Sequence, residues 1–512
     1  MASVGKTKFK RPLAFWTKII IVSVIIIGIL CTSMVLSSIQ YTVTIPSNGV
    51  ISSPIPTSIP PSQTVTAASG SASDIQNAVN AVIAAGGGTV NIPAGNWECN
   101  QAVGGAINID LQSLPAGAWL NIIGSNKTVN TKTQNGVPIT CPATILRSST
   151  INNVNTIGTF NVVGSPLEQG NFNNVLSTNR HIRIAYLTIL GNVTDDSTQN
   201  NYGIAMSYVD GFLIDHCTID SQCNAAINSG SSKGVVSSCS ITDYYHEFYG
   251  GDWGYGVCVT GNSQYWCNGL GTPTWIMNID SVIGLYNWQG ITLNYGNPQV
   301  YSYNEMYGTH YSDSFGTTND ISFTAGPVYI ENNYFNLTRH PASSSQYGYY
   351  VFRFNYVETN VINLQAVDQH GRDFPAGRFS EVYNNTICNA DYGDYLRGGG
   401  ALIFDNNFKN DLTGVGMGNE DYNATGIPYD YQYLNDIWIW NNIGSNTLTS
   451  GGLYSSYGVF NPLVVPTGEN ITMGVNVFTD SWGGLVTATN PTPPKPGYTP
   501  LAYPFPLGII DT

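Results

Sequence analysis

The chain has 512 residues, of which 55 are glycine and 32 tyrosine, and only 10% are charged. Five of its 18 basic residues (Lys6, Lys8, Lys10, Arg11, Lys18) precede position 19, leaving 13 basic against 32 acidic residues downstream, a net charge of −19. A body of that sign repels nucleic acid and polyanions in general, and with no Walker loop, HExxH or CxxC pair the chain offers no support for phosphate-binding or zinc chemistry.

Residues 1–18 read as a basic cytoplasmic tail. Residues 19–39, IIIVSVIIIGILCTSMVLSSI, are uncharged, apolar and long enough to span a bilayer. No acid occurs before Asp74, so the positive-inside rule predicts a single-pass signal anchor with everything after residue 40 outside the cell membrane. A cleaved signal peptide is the competing reading. Residues 40–72 are rich in Ser, Thr and Pro and read as an extended stalk. Outside the membrane, sequons at Asn126, Asn192, Asn336, Asn384, Asn423 and Asn470 are candidates for glycosylation. Cys31 lies in the span, and the other eight cysteines are an even number that permits disulfides. The candidates are Cys217 with Cys239, at the same phase of two similar strand runs, and Cys258 with Cys267, across a short loop; buried small hydrophobes are the other reading.

In SDIQNAVNAVIAAGGGTVNIPAGNW (73–97), Asp74 is a plausible N-cap. Ile75, Val79, Val82 and Ile83 share one helical face, Gly86, Gly87 and Gly88 stop the helix, and a strand follows from Thr89 to Ile92. After residue 85 the chain becomes a series of strand-sized runs, each with alternating apolar residues and most with an Asn near the middle. Examples are HIRIAYLTILGN (181–192), GFLIDHCTID (211–220), PVYIENNYFN (327–336), FSEVYNNTIC (379–388) and DIWIWNNIGS (436–445). The Asn markers fall at Asn333, Asn355, Asn385 and Asn407, with equal first and last steps and a longer one between them. A repeat of this kind, with uneven insertions, predicts a parallel β solenoid with one coil per repeat, over 73–490, with 74–85 as its capping helix and 491–512 as a Pro-rich tail. An Asn at one phase suits a left-handed turn, and stacked Asn side chains can bond between coils. A sandwich or propeller does not produce that unit.

Arg339, Arg353, Arg372, Arg378 and Arg397 cluster in the segment 339–397, together with His340 and His370. His340 precedes Asn355 by the same offset as His370 precedes Asn385, which predicts one edge of successive coils. Arg353, in mid-strand, reads as a charge on the coil surface. Removing a proton next to a sugar carboxylate needs a cation facing the carboxylate and a base beside the ring. Arg339 or Arg378 fits the first role and His340 or His370 the second, with Asp368 close to His370 in the chain to orient it. Arg372 and Arg397 are candidate substrate contacts. So are His246, Glu247, Asp252 and Trp253 in DYYHEFYGGDWGYG (243–256), a cluster suited to sugar stacking. Solvated corner residues or hydrogen-bonded loop anchors are the competing reading for the Arg and His set, and an ordered aromatic loop for 243–256.

The helix running through three glycines into a strand, and the repeats after it, resemble the pectate-lyase-like right-handed parallel β-helix superfamily. LIDHC (213–217) resembles the family's WIDH segment, with Leu213 for Trp, and Arg339-His340-Pro341 resembles the start of its RxPxxR motif, whose first Arg is the proton acceptor there. Ser344 stands where the second Arg belongs, and Asn224 and Asn228 stand for acids that help hold Ca2+ in the family. The resemblance implies β-elimination of a uronan, a polysaccharide partner and calcium as an option. A non-catalytic surface protein or adhesin is the alternative, and a glycoside hydrolase, with Asp195-Asp196 as a paired acid, is the third reading.

Overall fold

The computed structural model describes residues 63–100, 105–132, 138–148, 159–164, 180–191, 202–207, 209, 211–220, 225–230, 234–242, 255–260, 275–278, 281–283, 304–307, 328–337, 341–345, 349–359, 365–369, 379–411, 413–418, 434–445, 474–475, 477–480 and 491–500. All of them lie in one compact unit, 48–512. The apolar run 19–39 lies outside them. Among the described residues no helix is long and apolar enough to cross a membrane.

The helix spans Ala72–Ala84 and buries Ile75, Ala78, Val79 and Val82. Its N-cap is Ser71, not Asp74: the Ser71 hydroxyl accepts from the Asp74 amide at 3.3 Å, while the Asp74 carboxylate takes the Ser69 hydroxyl at 2.5 Å. The helix ends through Gly86, Gly87 and Gly88, all at positive φ, and the chain enters the strand Gly88–Asn91. That strand pairs in parallel with Thr64–Thr66, so the β structure begins inside the segment read as stalk.

Nearly all the remaining strands fall into three parallel sheets, a first of 13, a second of 11 and a third of 10 strands, wound as a parallel β-helix. Val328–Glu331 pairs with Tyr349–Arg353 in parallel register, and so on along the stack. Each run quoted above is two strands rather than one. His181–Ala185 belongs to the first sheet, the chain turns at Tyr186, and Thr188–Leu190 belongs to the second. The third strand of each coil, such as Tyr202–Ser207, lies between the runs.

In eight of the described coils the corner between the first two sheets is made by one left-handed residue. Tyr186, His216, Ser238, Asn332, Phe354, Asn384, Asp405 and Asn441 have φ of 53–60°. Holding a non-glycine residue there costs about 1 kcal/mol. The residue that follows offsets this. Asn333, Asn355, Asn385, Asn406 and Asn442 are buried and form a ladder. Asn385 Nδ2 donates to Phe352 O at 2.8 Å and to Asn406 Oδ1 at 3.0 Å, and its Oδ1 accepts from the Asn355 amide at 2.9 Å. The sequence markers Asn333, Asn355 and Asn385 are ladder residues, but the fourth rung is Asn406 rather than Asn407. The left-handed residue is the one before the rung.

Cys217 and Cys239 occupy the rung position in two earlier coils. They stack as their shared phase predicts, but they are free thiols, not a disulfide. Each donates to backbone, Cys217 Sγ to Ile184 O at 3.6 Å and Cys239 Sγ to Ile214 O at 3.7 Å, as the Asn amides do later. In-register residues of parallel strands point their Cβ atoms the same way, about 4.8 Å apart, which is wider than a disulfide accepts. Burial pushes the Cys239 thiol well above its ordinary pKa. Cys267 and the Cys258 side chain lie outside the described residues.

Residues 491–500 are packed against the first sheet rather than free. There Tyr383, Phe404 and Trp440 are register partners on the outer face, with ring centroids 4.5 and 4.4 Å apart. Tyr498 crosses Phe404 and Trp440 edge-on, and its hydroxyl donates to Glu381 Oε2 at 2.5 Å. Lys495 pairs with Asp436 and lies over the Phe379 ring.

Candidate functional site

The third sheet carries Gln365–Gln369, Tyr392–Leu396 and Thr413–Met417 side by side. Val367, Leu396, Val415 and Met417 are part of the hydrophobic core. Strand alternation then turns Asp368 and its register partner Tyr395 to the outer face. Arg397 follows the end of its strand and reaches back one coil. Its Nε donates to Asp368 Oδ1 at 3.0 Å, its Nη2 to Asp368 Oδ2, and its amide to Gln369 O at 2.9 Å. This two-point fork fixes the guanidinium plane. The guanidinium carbon is 5.8 Å from the centre of the Tyr395 ring. Tyr395 packs at 4.9 Å against Tyr392, and both rest on Gly416, where any Cβ would come within 2.2 Å of Tyr392. Asp368 is fully buried and Arg397 is 5% exposed.

Of the sequence-predicted site residues, the structure therefore brings Asp368 and Arg397 together. Arg339, His340, His370, Arg372, Arg378, His246, Glu247, Asp252 and Trp253 lie outside the described residues, as do Asn192, Asn423 and Asn470 of the sequons. Asn126 and Asn384 are exposed, and Asn336 is within the strand Tyr334–Leu337. Asn333, Asn355 and Asn385 mark one phase, but the connections preceding them differ in length. Residues 346–348 join the third sheet to Tyr349–Arg353, whereas 370–378 join it to Phe379–Tyr383. Equal offsets from the Asn therefore do not mean equal phase.

Inside the coil, Asp394 is an acid that the sequence reading missed. It is the register partner of the core residues Val367 and Val415 and is fully buried. Neither carboxylate oxygen has a hydrogen bond of ordinary geometry among the described residues. Burial first, and then the nearby Asp368 charge, hold its pKa well above the usual carboxylate range; the Tyr395 amide offsets only part of that. The unfolded chain ionises Asp394 near its ordinary pKa and the folded chain only at much higher pH. Asp394 therefore removes stability progressively as pH rises from the ordinary carboxylate range through the folded value. Asp394→Asn should raise the melting temperature at pH 7, leave it little changed near pH 3 and flatten the pH dependence between; parallel melting curves for the two proteins would contradict this.

LIDHC has a defined role upstream. Asp215 is buried and accepts Arg183 Nε at 2.8 Å, Arg183 Nη2 at 2.7 Å and His216 Nδ1 at 2.9 Å. The His216 ring stacks on Tyr186 at 4.9 Å. This cluster is on the first sheet, apart from Asp368 on the third. Arg183, which pairs across one coil, has no local sequence signal. Asn228 is half-buried on the third sheet. Among the described residues no three His, Cys, Asp or Glu side chains lie close enough to hold a metal, so the calcium implied by the resemblance finds no ligand set there.

No family model matches the chain, and no curated protein matches it. Among solved structures, it is similar to the A-module of mannuronan C-5 epimerase from Azotobacter vinelandii at 13% identity and a TM-score of 0.37, over 73% of this chain and 91% of that one. It is similar to an alginate lyase from a Paenibacillus species at 14% identity and a TM-score of 0.28, over 67% and 95%. It is also similar to a hyperthermoactive exopolygalacturonase from Thermotoga maritima at 13% identity and a TM-score of 0.30, over 76% and 88%.

Proposed function

We propose that the chain is a membrane-anchored extracellular β-helix that binds and processes a carboxylated polysaccharide along the outer face of its third sheet. The observation carrying this reading is the Asp368–Arg397 fork beside Tyr395 on that face. Arg397 and Tyr395 are themselves almost wholly enclosed, so the fork fixes the shape of that face from beneath and leaves the substrate contacts to the basic groups beside it. Of four further basic groups, Arg339 and His340 precede the third-sheet strand Ala342–Ser345 in the sequence, His370 follows Gln365–Gln369, and Arg378 precedes the first-sheet strand Phe379–Tyr383. In β-elimination an arginine neutralises the substrate carboxylate, a base removes the proton next to it, and the glycosidic oxygen leaves as the double bond forms. We assign the neutralising role to Arg339 or Arg378 and the base to His340 or His370, with Asp368 holding Arg397 in place.

The non-catalytic adhesin reading shares the premise that this face binds a uronan. Titration calorimetry with galacturonate and mannuronate oligomers tests the shared premise. Binding is expected, weakened about tenfold in Arg397→Lys, which keeps the charge but loses the fork. No heat with any uronan would contradict both readings.

A further inference from the structure

The outer face of the first sheet carries polar groups that the third-sheet reading does not use. Glu331 and Arg353 are buried and paired, with Arg353 Nε 2.7 Å from Glu331 Oε2. Arg353 Nη1 donates to the Tyr383 hydroxyl at 2.8 Å, and its guanidinium lies 5.2 Å from the Tyr329 ring centre. Two coils beyond Tyr329 in the same register column is Glu381, fully buried, which accepts the Tyr498 hydroxyl.

We propose that this face is a second saccharide site, for a neutral sugar chain, and that Tyr498 occupies it in the resting protein. Tyr498 presents what a sugar ring presents, a flat apolar face against aromatic edges and a hydroxyl donated to a carboxylate. Buried ion pairs are expensive, and apolar residues would seat the C-terminal segment at least as firmly. Adhesion of that segment alone therefore does not account for the buried Glu381 beneath Tyr498, nor for the Glu331–Arg353 pair beside Tyr383 on the same face. Among the described residues this face sets Glu331 and Glu381 against Arg353, with Lys495 already paired to Asp436, which disfavours a uronate, so the ligand is neutral, unlike that of the third sheet.

Calorimetry with cellohexaose and mannohexaose on Tyr498→Ala, and on a chain ending at residue 490, tests this, with a galacturonate hexamer as the acidic control. Because a tethered plug competes at roughly millimolar effective concentration, removing it should tighten binding of a neutral hexasaccharide by about tenfold or more. Glu381→Gln in the Tyr498→Ala background should reverse most of the gain. A folded Tyr498→Ala that binds neutral sugars no better than the parent, or that gains only for the galacturonate, would overturn the proposal. If the variants do not fold, the intact chain decides. Saturating neutral hexasaccharide should speed chymotryptic cleavage after Tyr498, and an unchanged rate would overturn the proposal.

Discussion

Asn385→Ala should destabilise the coils around residue 385 by about 4 kcal/mol, because several buried groups each lose a partner worth about 1–3 kcal/mol. The change removes the acceptor for the Asn355 amide and side chain and the donor to Phe352 O and Asn406 Oδ1. A solenoid couples mainly neighbouring coils, so faster amide exchange should centre on strands Tyr349–Arg353, Phe379–Tyr383 and Gly399–Phe404 and fade along the stack. The same change at exposed Asn384 should cost far less. A loss below about 1 kcal/mol at Asn385 would mean that the ladder does not carry the corner.

Arg353→Met should be comparably severe, at about 3–5 kcal/mol, because it leaves Glu331 buried without its charge partner. Arg353 is fully buried, among the largest enclosed side chains. The double change Arg353→Met with Glu331→Leu should recover most of the loss, since a well-packed apolar pair of similar volume costs little. Urea midpoints of the two variants read this directly. Equal loss in both would assign the effect to packing against Tyr329 and Tyr383 rather than to the stranded carboxylate.

Much of the fold was legible because one coil repeats its own chemistry. The capping helix, the glycine exit and the Asn phase all follow from local rules. The ladder was legible to within one residue: Asn406 and Asn407 are adjacent, and only the hydrogen bonds show which is the rung. The third sheet was not legible. Its strands, such as QAVDQ (365–369) and YGDYL (392–396), lack clean alternation, and connections of varying length shift them against the Asn marker. That variation also undoes the equal-offset argument for His340 and His370. Arg353 read as a surface charge because its partner Glu331 is one coil away, a separation no local pattern reveals. The Pro-rich end read simply as a tail because its two anchoring side chains, Lys495 and Tyr498, carry no periodic signal. Within the site, Asp368 and Arg397 were both picked out, but for roles beside His370 and the substrate. Their mutual pairing needed the register of neighbouring coils.

The third-sheet face is proposed to process a carboxylated polysaccharide. The most direct measurement is the ultraviolet absorbance of unsaturated uronate released when the full chain is incubated with a panel of uronans. A rising signal with at least one uronan is expected, abolished by alanine at one of Arg339 and Arg378 and at one of His340 and His370. Tight uronan binding with no unsaturated product, no change of uronate configuration and no new reducing ends would contradict processing and leave the adhesin reading.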